Sequence, residues 1–208
     1  MSALVNSEKA LIFRIVHRDN LRWIVENGLH CRKSTTVDPN FRRIGNHDLI
    51  VKRETRPVPI DPGGTLGDYV PFYFTPHSPM LYNVITGYND VTQRSNDEIV
   101  ILVSSLQTLV DLDRQFVFTD RHAYLNYPNF YSDLTDLDKL DWESLQARDF
   151  RRDPEDPGKF ERYQAEALVY RHLPSDSLLG VCLPFRRRED RIGRANNTWW
   201  PAANQSKV

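Results

Sequence analysis

What this chain lacks narrows it first. It has only two cysteines, Cys31 and Cys182, far apart and without metal-ligand spacing. A disulfide framework is excluded and no metal site is expected; the pair fits a reducing cytoplasm as small core residues. No apolar run approaches the roughly 20 residues that cross a bilayer. The N-terminus has no basic segment followed by an apolar stretch and a small-residue cleavage site, so no signal peptide is expected. There is no excess of charge either, since 27 Lys and Arg against 28 Asp and Glu leave a formal −1. Attraction to a polyanion must then come from a local patch. Internal repeats and long linkers are missing. These absences predict a soluble, cytoplasmic protein with no membrane partner. The expected layout is one domain over residues 1–194 and a loose tail at 195–208, where Trp199 and Trp200 are the candidates to dock back. A chain of this length can bury a sizeable core.

What is present is unevenly placed. Residues 57–82 concentrate proline, glycine and aromatics. That density forbids a long helix and forces turns around one short aromatic strand at 69–74. Aromatics leaving such a strand beside Gly63, Gly64 and Gly67 make a stacking surface with closely approachable backbone; the other reading is a buried strand and a surface loop. At 32–56, Arg32, Lys33, Arg42, Arg43, Lys52, Arg53 and Arg56 outnumber Asp38, Asp48 and Glu54. Such a segment either follows a phosphate backbone or is a solvated loop. Acidic residues dominate 133–156, which reads as a solvated helix with its connections, and a further basic cluster runs from Arg186 to Arg194.

Periodicity supplies an outline. Residues 10–16 alternate as a strand; Asp19 or Asn20 caps a helix with Leu21, Ile24 and Val25 on one face, and Gly28 ends it. Residues 32–56 read as loop and short helix. Ser78 and Pro79 open a helix that runs to about 85. Further strands are expected at 99–103, 116–118, 166–170 and 178–183, and helices at 106–110 and 142–147. Helices and strands mix without a regular alternation, so the class is α+β.

Glu166 lies in the run Gln164-Ala165-Glu166-Ala167-Leu168-Val169-Tyr170. A carboxylate entering an apolar run is costly unless paired or used; the competing reading is a strand-edge glutamate facing solvent.

The string GGTL-DYVPFYF-P-SPMLY within residues 63–82 resembles the DarT family of DNA ADP-ribosyltransferase toxins. Other blocks continue the likeness in one order, over about residues 10–183. They include Ile12 to His17 before Asp19-Asn20-Leu21, Leu102 to Ser105, Phe116 to Asp120 with His122 and Ala123, Phe130 to Leu134, and Gln164-Ala165-Glu166. The resemblance implies a single-domain ADP-ribosyltransferase-like fold with mixed central sheets flanked by helices. It implies a mono-ADP-ribosyltransferase that moves ADP-ribose from NAD to a base in single-stranded DNA, thymine in the subgroup this chain looks closest to. It implies a toxin paired with a macrodomain antitoxin, using NAD and no metal.

The resemblance also carries residue roles. Glu166 matches the glutamate that holds the nicotinamide ribose and favours positive charge at the anomeric carbon. Arg53 matches the arginine beside it, directed at a carbonyl of the base being modified, with Lys52 and Arg56 as alternatives in a shifted register. Tyr73 is placed to stack on nicotinamide, and His77 and Met80 continue that wall. His122 either contacts substrate or cofactor or is a structural histidine on the Asp120 backbone. Arg14 stands where relatives commonly have a histidine on a ribose hydroxyl; a guanidinium there suits the pyrophosphate. His17 is the alternative ribose contact, although strand alternation puts positions 14 and 17 on opposite faces. Arg42, Arg43, Lys52 and Arg56 are candidates for DNA contact. The competing functions are transfer to RNA or protein, and a binding module that stacks bases without chemistry. Glu166 argues against the last, which has no use for a carboxylate near bound phosphates.

Overall fold

The structure is a computed structural model that describes residues 4–125 and 127–184; the basic cluster from Arg186 and the 195–208 tail lie outside them. The order of elements is β1 (Leu11–His17), α1 (Leu21–Asn27), β2 (Leu29–His30), α2 (His47–Arg53), β3 (Tyr69–Tyr73), α3 (Pro79–Thr86), β4 (Ile99–Ser105) and α4 (Leu106–Asp111). There follow β5 (Phe116–Thr119), β6 (Phe130–Tyr131), α5 (Trp142–Ala147), α6 (Lys159–Arg162), β7 (Glu166–Tyr170), β8 (His172–Leu173) and β9 (Gly180–Cys182). Seven strands form one sheet in the order β6-β5-β7-β3-β1-β4-β9, while β2 and β8 pair apart. Every pairing in the large sheet is antiparallel. The α+β class holds, with a central sheet flanked by helices.

That sheet is fully paired on either side of its middle and parted there. β1 and β4 pair along their whole length, from Leu11↔Ser105 to His17↔Ile99, and β3 and β7 pair from Tyr69↔Tyr170 to Tyr73↔Glu166. Between β1 and β3 the register has one pair, Phe13↔Tyr73. Pro71 in the centre of β3 has no N–H to give a ladder. Its carbonyl takes a side-chain donor instead of a backbone one, Arg14 Nη1 donating to it at 2.6 Å.

Strand alternation sorts the core onto two faces. One face carries a large cluster that includes Ile12, Val16, Val70, Phe72, Phe118 and Ala167. The other carries two smaller ones. Phe13, Ile15, Ile99 and Ile101 pack with Leu81 and Val84 of α3; Tyr69, Val117 and Leu168 pack with Val58, Leu66 and Ala123.

Local signals hold where a cap or a long apolar run spoke. The Ser78 side chain accepts from the Leu81 N–H at the start of α3, with Pro79 in its first turn. Gly28 ends α1 at φ 76°, where a Cβ would stand 2.4 Å from the Leu173 carbonyl oxygen. Three expectations fail. Val25 is exposed, because α1 lends the core Ile24 and parts of Leu21 and Trp23. The Asn20 side chain does not cap α1; it bonds the backbone of Arg42 instead. Cys31 is buried, but Cys182 is exposed on the edge strand β9. The elements β2, β6, β8 and α6 escaped prediction because two to four residues carry no period. Among the described residues no helix is long and apolar enough to cross a membrane, and no group of His, Cys, Asp and Glu is placed to hold a metal ion.

Candidate active site

Pairing of β3 with β7 sets Tyr73 directly opposite Glu166. Directly opposed residues project from the same face, so phenol and carboxylate meet. They share that face with Tyr69 and Leu168 and lie level with Phe13↔Tyr73, the one pair that joins β3 to β1, beyond which the two strands part. Glu166 is 2 % exposed and would be costly there alone.

It is not alone. Arg53, the last residue of α2, makes a bidentate pair with it: Nη1 to Oε1 at 2.9 Å and Nη2 to Oε2 at 2.6 Å. α2 buries none of its own residues, so its position is set at its ends. Asn46 caps it by accepting from the Leu49 N–H. At the other end Thr65 Oγ1 donates to the Glu54 carbonyl at 2.7 Å, and a Cβ on Gly67 would meet Glu54 Cα at 3.0 Å. The close approach that Gly67 permits therefore seats the arginine helix.

A third donor comes from the turn after β5. The buried Ala123 N–H reaches Glu166 Oε1 at 3.0 Å. Burial alone would raise the Glu166 pKa, but the Arg53 charge and these hydrogen bonds outweigh it and hold the carboxyl below the usual range. Arg53 responds in kind, burial pulling its pKa down and Glu166 raising it further. Tyr73 is pushed up by burial and by the Glu166 charge, so it is a neutral phenol. His122 Nδ1 accepts from the Tyr124 N–H at 3.1 Å, which assigns the proton of the neutral ring to Nε2. Burial lowers its pKa more than Glu166 at 3.6 Å raises it, so the ring is neutral at pH 7.

Arg14 stands at the split. Burial lowers its pKa to about 10, still charged at neutrality, and its Nε is buried without an acceptor among the described residues. With Arg53 cancelling Glu166, Arg14 leaves the inner site one positive charge. An anionic linkage fits such a wall.

These groups line one cleft of about 1640 Å³. Pockets that enclose a drug-sized ligand hold roughly 300–1,000 Å³, so there is room for a dinucleotide and a second reactant. Val16, Leu29 and Val70 line it from the large core, and Ile15, Ile44 and Met80 from the second cluster. The cleft thus reaches both faces of the sheet through the split between β1 and β3.

Of the residues singled out in the sequence, the fold gathers Glu166, Arg53, Tyr73, Arg14, His122 and Met80 in this cleft, with Arg42, Arg43 and Lys52 further along its lining. Three are placed elsewhere. His77 is not in the lining, and its carbonyl accepts from the Tyr163 hydroxyl at 3.1 Å. His17 is buried off the cleft, its Nδ1 accepting from the Asp19 N–H and its Nε2 3.6 Å from Glu98; it shares the face of Ile15, which does line the cleft, so its place at the end of β1 and not the alternation keeps it out. Arg56 is not in the lining; its Nη2 donates to the Leu125 carbonyl at 2.7 Å, which ties it to the turn after β5. His122 bonds the Tyr124 N–H rather than the Asp120 backbone. Two parts of the site went unread in the sequence: the Ala123 donor, which any residue but proline supplies, and the wall of Phe150, Arg151, Arg152 and Phe160. Arg152 lies over the Phe160 ring, 4.9 Å from its centroid.

A family model described as ssDNA thymidine ADP-ribosyltransferase, DarT, matches residues 13–198. The DNA ADP-ribosyl transferase of Escherichia coli O127:H6 is 58% identical over 180 residues, covering 86% of this chain and 83% of that protein. The DNA ADP-ribosyl transferase of Thermus sp. strain 2.9 is 41% identical over 167 residues, covering 80% of this chain and 78% of that one. Among solved structures, Thermus sp. 2.9 DarT in complex with ADP-ribosylated ssDNA superposes with a TM-score of 0.77 at 37% identity, over 85% of this chain and 82% of that one. The same protein in complex with NAD+ gives 0.71 at 37% identity, with the same coverage of both chains.

Proposed function

This chain belongs to the DarT family, and we propose that it transfers ADP-ribose from NAD to a thymine base in single-stranded DNA. That it is an NAD-dependent ADP-ribosyltransferase acting on DNA follows from its relatives, one of them solved with NAD+ and with ADP-ribosylated ssDNA. The observation that carries the finer reading is the buried Glu166–Arg53 pair under Tyr73, in a cleft with room for two reactants.

The residues divide the work as follows. NAD supplies the ADP-ribosyl group and a nicotinamide that leaves with the electrons of the broken glycosidic bond. Glu166 is ionised at neutral pH, and its charge stabilises the positive charge that develops at the anomeric carbon. The Tyr73 ring offers a face to nicotinamide at little entropic cost, and Arg14 offers its uncompensated charge to the pyrophosphate. Arg53 as it stands is committed to Glu166. The pair uses two of the five guanidinium N–H groups, so a thymine carbonyl either takes one of the other three or displaces one of these two. Where it displaces one, the influence holding the Glu166 pKa down weakens, and the carboxylate becomes a stronger base when an acceptor with a ring N–H is in place. The base nitrogen then forms the new C–N bond and its proton goes to Glu166.

In a duplex the thymine ring N–H and a carbonyl are engaged in pairing, which favours an unpaired acceptor. ADP-ribose on a pairing edge blocks templating. A cell carrying this activity therefore needs a hydrolase that removes the group, and a macrodomain antitoxin is the partner this chemistry calls for. A module that only binds nucleic acid has no use for a buried, paired carboxylate at the floor of its cleft. The direct test is incubation of the purified protein with NAD and thymine-containing or thymine-free single-stranded oligonucleotides. A mass gain of one ADP-ribose confined to the thymine-containing strands supports the reading, and gain on thymine-free strands overturns it.

A further inference from the structure

The turn after β5 does more than connect strands. Thr119, the last residue of β5, is wholly buried, and its hydroxyl joins two elements. Its Oγ1 accepts from the Glu166 N–H at 3.2 Å and donates to the Arg121 carbonyl at 2.6 Å. One residue later, the buried Asp120 closes the neck of the turn. It accepts from the Asn129 N–H at 3.0 Å, from Asn129 Nδ2 at 2.8 Å and from the Arg121 guanidinium at 3.2–3.3 Å. The His122 N–H donates to the Glu161 carbonyl at 3.1 Å, and Arg56 donates to the Leu125 carbonyl at 2.7 Å. The Ala123 methyl sits in a core cluster with Val117 and Leu168. Residues 119–125 are thus braced from several sides, and the group they present inward is the Ala123 N–H on Glu166 Oε1.

We infer that Thr119, Asp120 and Asn129 are positioning residues for the transfer reaction, which fix the Ala123 N–H as a backbone donor to the catalytic carboxylate. The inference rests on Glu166 being that carboxylate. Arg53 is a side-chain partner that the proposed reaction shares between Glu166 and the base. Ala123 is a backbone donor held by the brace. It keeps one oxygen of Glu166 oriented however the guanidinium divides its donors. Preorganised backbone donors suit this task because they need no reorganisation during the reaction. Thr119 touches neither reactant; it links the strand start that carries the carboxylate to the turn that carries the donor.

The test is kinetic, on the full chain. Thr119→Val keeps the volume and removes the hydroxyl. It should lower kcat on single-stranded DNA by about tenfold, with the KM for NAD changed less than kcat. The groups facing Glu166 are Arg53 from α2, Tyr73 from β3 and His122 from the turn. All three remain in the variant, so a weakened Ala123 donor should move the acid limb of the pH profile to higher pH. Thr119→Ser should restore both readouts. Asn129→Ala, on an exposed side chain, should shift both in the same direction by less, and carries the test if Thr119→Val does not fold. Wild-type kcat with an unmoved acid limb in these variants overturns the inference, as does equal impairment by Ser and Val. Glu166→Gln is the control that separates the two readings. If it stays active, the catalytic assignment fails; if it is dead while Thr119→Val is unimpaired, only the positioning role fails.

Discussion

The floor and the rim of the cleft use the same chemistry to different ends. On the floor, Glu166 and Arg53 pair with side chains 2% and 12% exposed. On the rim, Arg151 pairs with Asp149 at 61% and 24%, and Arg42 with Asp19 at 55% and 43%. Both regions show guanidinium on carboxylate at hydrogen-bonding distance. What differs is solvent. Exposed pairs contribute about 0–1 kcal/mol and can rearrange freely, whereas losing one partner of a buried pair costs about 3–5 kcal/mol. The floor pair is therefore costly to break, and the rim pairs can yield to a polyanion at little cost. Asp149 illustrates the rim. Arg151 and Lys159 hold its carboxyl well below the usual range, yet it remains a solvated surface group.

The largest break in this comparison should come from Glu166→Gln. The change keeps the shape and removes the charge, so transfer should fall at least about a thousandfold while NAD still binds, measured by single-turnover assay and calorimetry. Full activity in this variant would mean that the floor pair is structural only.

Strand state should matter nearly as much. Matched duplex should be almost inert beside the single strand in the same assay, and equal modification of both would remove the unpaired acceptor from the proposal.

Arg53 sharpens the contrast. Arg53→Ala should cost about a hundredfold on DNA and less on slow NAD hydrolysis, and Lys should rescue poorly because it lacks the planar fork. Equal losses on DNA and on hydrolysis would move Arg53 to the cofactor.

The pH dependence has a defined sign. Glu166 is depressed in the fold, so the charge it uses is present above its folded pKa and lost as the pH falls through it. The stability of the pair is fully present above the unfolded value near 4.3 and declines below it. The acid limb of NAD hydrolysis without DNA should lie below that value, and an upward shift of that limb in DNA transfer would report that Arg53 gives up a bond to Glu166 for the base. The smallest effects belong to the rim. Neutralising Arg42, Arg43 or Lys52 should weaken DNA binding without changing kcat. Each such charge that meets a phosphate should, once removed, flatten the salt dependence by about 0.7 in log–log slope. A kcat loss comparable to that of Arg53→Ala would place these residues on the floor.

Much of this was legible because it is local. Ser78 before Pro79, the apolar run of β4, the aromatic strand at Tyr69 to Tyr73, and a glutamate opening an apolar strand each state their structure within a few residues. Glu166 stood out because a carboxylate entering a strand core demands a partner, and only the family resemblance pointed to Arg53 beside it. Even so, alternation could exclude His17 only relative to Arg14, and Arg56 and Arg53 were indistinguishable on paper. The fold separates them by sending one guanidinium to a carbonyl of the turn and the other to the carboxylate.

By itself the sequence determined the longer strands and helices, since caps, prolines and alternation act over a few residues, and through its family resemblance it singled out Glu166 and Arg53 as candidates. The tertiary structure alone decided that Arg53 meets Glu166 across 113 positions, that the sheet parts between β1 and β3, and that a backbone N–H at Ala123 completes the site. The physical reason is that strand register and turn closure are non-local, and a backbone donor leaves no trace in the identity of its residue.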